Sequence, residues 1–393
     1  MVISMKKNKL IITSVLVIVF ILFVFIYGGR RLGREYLDSH ASVKARIESI
    51  FETLPFDRHI KQAHFYYLRA THRGHYNGVT FLNDGRLMLD TLDYSLFLHE
   101  RATGIAFLDE FAEEKGASFL YVRIPSKLEN NSYLPIAFSD NAAIEGSNRL
   151  LSLISEYGID VLDLRAAMER DNFAFTEAFY RGDHHWTTEA ILWSFGKIAE
   201  FINSEYGFSV DEMTWDPQQF EHIVFENVFS GEESRAVNAL LNYESITAIF
   251  PKFHTEFVIT SLMGANYMEH LDSGSFVDVF MPWVRDNYVD SLVYGDLNRW
   301  FSGITRYENS AAREDKNVLL IMDSMGIPLA TFFANAFTGV DKVYLQNGGN
   351  HRIWPAIENY NYDLVIFAVS DVAVGGEDTL DYTRDRLFLD RPW

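Results

Sequence analysis

The chain has 393 residues, of which 48% are hydrophobic, 15% aromatic and 22% charged, and this composition is that of a folded protein rather than a disordered one. Its 34 lysines and arginines stand against 54 aspartates and glutamates, and the net charge of −20 excludes broad electrostatic attraction to nucleic-acid phosphates. Because the chain contains no cysteine, disulfide scaffolds, thiol nucleophiles, zinc ribbons and iron–sulfur sites are excluded as well.

An apolar segment near the amino terminus, Leu10–Tyr27, follows several lysines and contains only Thr13 and Ser14 as polar residues. Its length of about 18 residues is enough to span a bilayer, and no small-x-small cleavage motif follows it. We therefore predict a cytoplasmic tail and transmembrane signal anchor over residues 1–31. A stalk or helical linker over 32–78 would connect this anchor to an extracytoplasmic domain, making a single-pass protein of the cell membrane.

Helical and strand-like patterns alternate along the rest of the chain, which predicts an α/β domain over residues 79–393. Helices are predicted near Leu98–Lys115, Ser147–Tyr157 and Glu189–Tyr206, each followed closely by a glycine that would end it. Strands are predicted at Phe119–Ile124, Ile159–Leu162, Val318–Met322, Val343–Leu345 and Leu364–Val369. This order favours a parallel sheet with helices on both faces. Between about 208 and 309 the pattern is β-rich and aromatic, which predicts an insertion forming a second domain embedded in the first; it includes Phe276–Phe280 as a β-leaning segment.

The first motif with chemical potential is the run Gly182-Asp183-His184-His185-Trp186, which lies just before a helix that Thr187 could cap. In an extended segment, residues i and i+2 point to the same side, so the Asp183 carboxylate could accept the Nδ1 proton of His185. Nε2 of His185 would then serve as a base, while His184 would point to the other side. The alternative is that Asp183 caps a turn and both histidines are buried hydrogen-bonding groups.

The second motif, Asp323-Ser324-Met325-Gly326, directly follows the buried strand Val318–Met322 and precedes a helix. Open α/β sheets bind ligands at the carboxyl ends of their strands. A serine at a helix N-terminus also lies near backbone N–H groups that can bind an oxyanion. Ser324 is therefore a candidate nucleophile, although Asp323 or Ser324 could instead simply cap the helix.

Together the two motifs contain the aspartate, histidine and serine that acyl transfer or hydrolysis by a serine nucleophile requires. The absence of a G-x-S-x-G elbow disfavours an α/β-hydrolase. The run Gly182–Trp186 resembles the signature of the bacterial DHHW family. This run, taken with the late Asp-Ser-x-Gly motif, resembles SGNH-hydrolase-like proteins that O-acetylate exported polysaccharides such as alginate. The resemblance extends from about Asn83 to Val365.

The resemblance implies an SGNH-hydrolase-like fold in which the catalytic motifs are permuted, since Asp183 and His185 precede Ser324. It assigns Ser324 as nucleophile, His185 as base and Asp183 as the partner of His185, with no metal or other cofactor. It also implies a membrane-anchored O-acetyltransferase or acetylesterase that acts on a cell-surface or exported polysaccharide. A membrane-bound O-acyltransferase that supplies the acyl group is implied as a partner. Met322 stands where such proteins have the glycine of a Gly-Asp-Ser block, and the glycine and asparagine that complete their oxyanion hole have no clear counterpart.

Five further residues are candidates for contact with the oxyanion or the substrate. Tyr294, Asn298 and Arg299 precede the predicted nucleophile strand in a polar, aromatic segment, where Asn298 could donate to an oxyanion or simply form a turn. Arg123 and Lys127 lie at and just after the end of a predicted strand. They could contact substrate or form a solvated loop edge.

Two other functions remain open at this point. Asp183, His184 and His185 could be metal ligands in a DHH-type phosphoesterase, although Asn83-Asp84-Gly85 supplies only one early carboxylate where such an enzyme needs an Asp-x-Asp pair. The chain could also be a glycan-binding scaffold on the same fold with a catalytically idle triad.

Overall fold

The computed structural model describes residues 57–71, 74–89, 98–135, 142–237, 239, 243–262, 268–279, 304–345 and 360–375. The chain divides into two compact units, Met1–Tyr67 and Leu68–Trp393. The first helix of the described residues, α1, spans Asp57–Ala70. The predicted anchor over 1–31 and most of the predicted stalk lie outside the described residues, as do Tyr294, Asn298 and Arg299. Within the described residues, no helix combines the length and apolarity needed to cross a membrane.

Seven more α-helices with both ends in the described residues follow, together with thirteen strands. The helices are α2 (Leu98–Lys115), α3 (Ala142–Ser155), α4 (Leu164–Asp171), α5 (Phe175–Ala178), α6 (Thr188–Tyr206), α7 (Glu232–Ala236) and α8 (Leu329–Ala336). The strands are β1 (His75–Tyr76), β2 (Val79–Phe81), β3 (Leu87–Leu89), β4 (Ser118–Ile124), β5 (Val161–Asp163), β6 (Phe220–Phe229), β7 (Glu244–Pro251), β8 (Phe257–Leu262), β9 (Met268–Gly274), β10 (Ile304–Asn309), β11 (Glu314–Met322), β12 (Phe337–Tyr344) and β13 (Leu364–Ser370).

The central sheet has eight strands in the order β5-β4-β13-β11-β12-β10-β8-β9. The five strands from β5 to β12 are parallel to one another, whereas β10, β8 and β9 continue the sheet in antiparallel pairing. The prediction of a parallel sheet is therefore correct for one half, and the sheet as a whole is mixed. Helices connect parallel strands to one another, whereas antiparallel strands can be joined without a helical crossover.

Helices cover both faces of the parallel half, as predicted. Side chains alternate along β4, so that Leu120 and Val122 enter the core shared with α6 and α8. Phe119 and Tyr121 enter the opposite core, which is shared with α2 and α3. The two faces of β11 and β13 divide in the same way, which explains why these strands are near-continuous apolar runs in the sequence.

Capping residues end and begin the helices as the sequence indicates. Gly116, Gly158 and Gly207 all have positive φ values, of 70°, 77° and 70°, a region that favours glycine. The hydroxyl of Thr187 accepts a hydrogen bond from the Ala190 N–H at 3.3 Å, and α6 begins immediately after it.

The segment predicted as an insertion does not form a separate β-domain in the part that the structure describes. Its strands β8, β9 and β10 extend the main sheet, and only β6 and β7 form a sheet of their own. Residues 276–279, predicted as β-leaning, are helical. The Ser275 hydroxyl lies 2.6 Å from the Asp278 carboxylate and 3.2 Å from the Asp278 N–H, and this local cap outweighs the β-propensity of the apolar residues.

Candidate active site

The carboxyl ends of β4, β5, β11 and β13 meet at one edge of the sheet, because these strands are parallel and adjacent. Asp323 and Ser324 follow β11 directly at this edge, as predicted. Ser324 is buried, with 8% of its surface exposed.

Residues 323–328, called the serine turn below, are held mainly by the Asp323 carboxylate. Its Oδ1 accepts hydrogen bonds from the N–H groups of Met325 (3.0 Å) and Gly326 (3.3 Å). Its Oδ2 accepts one from the Ser370 N–H at the end of β13 (2.9 Å). A side chain at Gly326 would place Cβ 2.5 Å from the Met322 Cβ, so the glycine of the Asp-Ser-x-Gly motif is required by close packing. Asp323 therefore fixes the turn that presents Ser324.

The helix after this turn begins later than the sequence suggested. Successive tight turns lead from Asp323 to Pro328, and α8 starts at Leu329. Ser324 thus lies ahead of the helix, not at its first residue. Because the Met325 and Gly326 N–H groups are bonded to Asp323, the backbone N–H of Ser324 itself is the better candidate for binding an oxyanion.

Residues 181–187, called the histidine loop below, carry the second motif. The Asp183 Oδ1 lies 2.6 Å from the His185 Nδ1 and also accepts the His185 backbone N–H at 3.0 Å. The contact expected between the two side chains is therefore present. Both residues are buried. Because Nδ1 faces the carboxylate, Nε2 is the ring atom of His185 left to exchange a proton with a reacting group.

His184 does not point away from this pair, and that expectation is wrong. Its ring centroid lies 3.9 Å from that of His185, with an angle of 35° between the rings. The loop is bent at these residues and not extended, so the alternation of side chains along a strand does not apply. The Nδ1 of His184 lies 3.4 Å from Oε1 of Glu233, a fully buried residue of α7.

Burial and charge set the protonation states of these groups. Burial opposes ionisation of Asp183, but its hydrogen bond to His185 and the nearby imidazoles outweigh burial and lower its pKa well below the usual value. Burial likewise opposes protonation of His184, yet the Glu233 carboxylate outweighs it and raises the pKa of His184 to about 9. Burial, followed by the positive charge of His184, lowers the pKa of His185. At neutral pH, His185 is therefore neutral and able to accept a proton.

The buried ammonium group of Lys127 holds the backbone of the histidine loop in place. Its Nζ donates to the carbonyl oxygens of Leu87, Arg181 (3.3 Å) and Asp183 (2.6 Å). Burial lowers the pKa of Lys127. The sequence predicts Lys127 either in contact with substrate or at a solvated loop edge. Its burial and its backbone contacts favour a positioning role.

Residues about 50 to 60 positions later in the chain also hold the histidine loop in place. The Glu244 carboxylate accepts the N–H groups of Arg181 and Gly182, both at 2.7 Å. The Glu232 N–H donates to Oδ2 of Asp183 at 2.8 Å. A Cβ at Gly231 would lie 2.0 Å from the Gly182 carbonyl oxygen, so only glycine permits this approach. Sequence reasoning missed Gly231, Glu232, Glu233 and Glu244, because no local motif marks a residue whose partner lies about 50 positions away.

A hydrogen bond joins the histidine loop to the serine turn. The indole Nε1 of Trp186 donates to the Met325 carbonyl oxygen at 2.9 Å. Trp186 follows His185 and Met325 follows Ser324, so the two predicted motifs are adjacent in space. His185 is also near enough to Asp323 to lower its pKa slightly, against the larger effect of burial, which raises it. Hydrogen-bond reach between His185 and Ser324 stays a prediction.

Arg123 occupies a buried position that differs from a solvated loop edge. Its Nε donates to Oδ1 of Asp371 at 2.7 Å, and its Nη1 donates to Asn148 at 2.8 Å and to Asp163 at 3.1 Å. Asp371 follows β13 and Asp163 ends β5, so Arg123 ties β4 to both neighbouring strands. These contacts favour a role in fixing the edge of the sheet over contact with substrate.

Asp183, His184 and His185 also present donor atoms within 4.8 Å of one another, a spacing that could hold a metal ion. A metal would compete with the proton that Glu233 stabilises on His184. It would also lie near the Lys127 ammonium, which bonds to the Asp183 carbonyl. A metal ion bound through these three residues would therefore have to displace the proton from His184.

Comparison with known proteins agrees with the α/β fold and with the family resemblance. A family model matches residues 93–223, which include Asp183 and His185 but not Ser324. The match is to the SGNH hydrolase-like domain of the acetyltransferase AlgX. The comparison with curated proteins gave no match.

Two solved structures share the fold over most of the chain. Bacillus cereus PatB1 with a sulfonyl adduct has a TM-score of 0.61 and 16% identity, covering 77% of this chain and 96% of its own. A DHHW family protein from Eubacterium siraeum has a TM-score of 0.58 and 16% identity, covering 80% of this chain and 97% of its own. At this identity the likeness concerns the fold. The resemblance to DHHW and SGNH-hydrolase-like acetylation proteins is confirmed.

Proposed function

We propose that the chain is an O-acetyltransferase or acetylesterase that acts on a cell-surface or exported polysaccharide through Ser324, His185 and Asp183. The observation that carries this proposal is the buried Asp183–His185 pair, joined to the serine turn by the bond from Trp186 to Met325. An ionised aspartate, a neutral histidine and a serine at the carboxyl edge of a parallel sheet are the groups that acyl transfer requires.

The proposed reaction begins when the Ser324 hydroxyl attacks the carbonyl carbon of an acetyl donor and His185 Nε2 accepts the hydroxyl proton. The Ser324 N–H stabilises the resulting oxyanion. His185 then returns the proton to the leaving group, and an acetyl ester remains on Ser324. In the second half, a sugar hydroxyl or water attacks this ester while His185 accepts its proton. Ser324 leaves with a proton from His185, which restores the enzyme.

Asp183 has a supporting role in this proposal. Its carboxylate fixes the orientation of His185 and stabilises the positive charge that His185 gains in each half-reaction. The Glu232 N–H occupies its second oxygen, which keeps the carboxylate aligned with Nδ1.

Covalent labelling tests the nucleophile directly. The PatB1 structure contains a sulfonyl adduct, and a sulfonyl fluoride is a matching reagent for this chain. We expect one adduct per molecule by intact mass, located at Ser324 by peptide mapping, and none in Ser324→Ala. Ser310→Ala, which changes an exposed serine, is the matched control. Labelling that persists in Ser324→Ala would contradict the proposal.

Turnover of an activated acetyl ester separates this function from its rivals. Ser324→Ala and His185→Ala should each remove nearly all activity, because members of a triad act as one unit. Asp183→Ala should leave a larger residual rate. A metal-dependent phosphoesterase would lose activity on chelation, whereas the proposed enzyme should not. An idle glycan-binding scaffold would show no turnover in any form.

We also propose that residues 1–31 anchor the protein in the cell membrane with its catalytic domain outside the cytoplasm. A membrane-bound O-acyltransferase would be its acyl-donor partner. The apolar segment Leu10–Tyr27 supports the anchor. The full chain should resist extraction from membranes by alkaline carbonate, and removal of residues 1–31 should make it extractable. Release of the full chain by carbonate alone would contradict the anchor.

A further inference from the structure

A cavity of about 590 Å³ lies against the histidine loop, and the proposed mechanism does not use it. Its size is within the usual range for small-molecule sites. Its walls come from α5, the histidine loop, the start of α6 and β7. The residues that line it are Phe173, Thr176, Glu177, Phe179, Tyr180, Arg181, Thr187, Glu189, Glu244, Ser245 and Thr247.

The lining combines aromatic rings with hydroxyl and carboxylate groups. Three of the lining residues are aromatic and four are serine or threonine. Aromatic faces pack against the C–H faces of sugar rings, and hydroxyl and carboxylate oxygens accept hydrogen bonds from sugar hydroxyls. This mixture suits a glycan better than it suits an apolar ligand.

The charge of the cavity is negative. Glu177 and Glu189 are exposed and face solvent at its rim, while Glu244 is partly buried. Among the described lining residues, Arg181 is the only basic one. The net charge of −20 on the chain adds to this local potential. A polymer of uronic acids would therefore be repelled, whereas a neutral chain or one with free amino groups would not.

The cavity is coupled to the proposed catalytic residues through the loop itself. Arg181 and Thr187 line the cavity at the two ends of the segment that carries Asp183 and His185. The Glu244 carboxylate, part of the cavity wall, bonds to the N–H groups of Arg181 and Gly182. A glycan in the cavity would thus contact the same rigid loop that positions His185.

We propose that this cavity is a subsite for the acceptor glycan and that it selects neutral or amino-sugar chains over polyuronates. The proposal rests on the proposed function and narrows its substrate class. The subsite would hold sugars neighbouring the one that is acetylated, so binding and chemistry are separate properties of the protein.

Isothermal titration of the full chain in detergent with three hexasaccharides tests the subsite without turnover. The probes are hexamers of glucosamine, of N-acetylglucosamine and of mannuronate. We expect the glucosamine hexamer to bind most tightly and the mannuronate hexamer at least about fivefold more weakly than the N-acetylglucosamine hexamer, because the two exposed glutamates would repel mannuronate. Added salt should reduce this difference.

The double variant Glu177→Gln/Glu189→Gln should reduce the ratio of the affinities for the glucosamine and mannuronate hexamers by about fivefold. Both residues are exposed, so the fold should tolerate the changes. Glu156→Gln/Glu221→Gln changes the net charge equally at exposed positions outside the cavity and is the matched control. It should leave the order of affinities as in the wild type.

Equal or tighter binding of the mannuronate hexamer would overturn the proposed selectivity, and absence of binding by every hexamer would overturn the subsite. An equal response of the two double variants would also overturn it. Failure of the proposed function would appear elsewhere, as absence of Ser324 labelling and of ester turnover, because titration does not depend on the nucleophile.

Discussion

The histidine loop and the serine turn meet at one edge of the sheet but are held in different ways. The serine turn is stabilised by its own first residue, Asp323, whose carboxylate binds two N–H groups of the same turn. The histidine loop depends on distant charged residues, namely Lys127 on one side and Glu244 on the other. The serine turn thus has mainly local support, with one bond from Ser370, whereas the histidine loop has one local bond to Asp183 and relies more on residues elsewhere in the chain.

This difference predicts which substitutions would displace each proposed catalytic group. A change inside the serine turn affects Ser324 directly. The position of His185, in contrast, depends on residues that never touch a reacting atom. We expect substitutions around the histidine loop to reduce activity more than an equally conservative substitution in the serine turn.

Among substitutions outside the proposed triad, the largest effect is expected for Lys127→Met, which keeps the length of the side chain and removes its ammonium group. The buried carbonyl oxygens of Leu87 and Asp183 would lose this donor, while the Arg181 carbonyl keeps the Leu87 N–H, so the free energy of unfolding should fall by at least about 2 kcal/mol. Displacement of His185 by about 1 Å should lower kcat by about 100-fold or more. Chemical denaturation and turnover of an acetyl ester measure the two quantities. Lys252→Met, which changes an exposed lysine, is the control. Wild-type activity in Lys127→Met would show that the loop does not need this support.

A smaller loss is expected for Gly231→Ala, because its Cβ would meet the Gly182 carbonyl oxygen. Overpacking of this kind costs about 1–3 kcal/mol, and the backbone of the histidine loop would have to move to relieve it. Activity should fall by about tenfold or more. Gly158→Ala is a useful comparison, since no atom lies within 4 Å of its added Cβ. It should cost about 1 kcal/mol through its positive φ and leave kcat unchanged. Equal activity losses in the two variants would refute the packing argument.

Asp323→Asn tests the serine turn with the shape of the side chain retained. An amide cannot accept from the Ser370 N–H and from the Met325 and Gly326 N–H groups at the same time. One set of bonds would be lost, at about 1–3 kcal/mol. We expect a loss of activity smaller than that of Lys127→Met, together with slower sulfonylation of Ser324. A loss of activity greater than that of Lys127→Met would reverse the comparison between the two segments.

The smallest effect is expected for His184→Gln, and it concerns pH. His184 is protonated across neutral pH, and its charge lowers the pKa of His185. Removing that charge should raise the pKa of His185, so the acid limb of the pH–rate profile should move to higher pH. The rate on the plateau should change little. His254→Gln, at an exposed histidine, should leave the profile in place. A shift of the acid limb to lower pH would contradict the assigned charges.

The sequence predicted the parts of the fold that depend on local patterns. The bounds of α2 were predicted as found, because an apolar run ends at a glycine. The runs that became β4, β11 and β13 were also recognised, since strands buried on both faces are continuously apolar. The region that contains β8 and β10 was predicted to be β-rich, but the place of these strands in the main sheet depends on pairing across the whole chain, and no local pattern encodes it.

The same limit applies to the candidate site. Asp183, His185 and Ser324 were found because their spacing within short motifs has a chemical meaning. Lys127 was noticed, but its role was not, because its partners are backbone carbonyls that look alike in any sequence. Glu233 was missed because an isolated acidic residue on a short helix gives no sign of burial beside a histidine.

The hydrogen bond from Ser370 to Asp323 has a consequence for biosynthesis. A ribosome makes the chain from its amino terminus, and β13, which ends at Ser370, is nearly the last strand to emerge. Until it does, β11 lacks one of its two neighbours, and the serine turn lacks one of its bonds. The turn that carries Ser324, the proposed nucleophile, therefore gains its full set of bonds only when synthesis is almost complete. A chain that lacked Ser370 would therefore carry Ser324 on a turn without one of its supporting bonds.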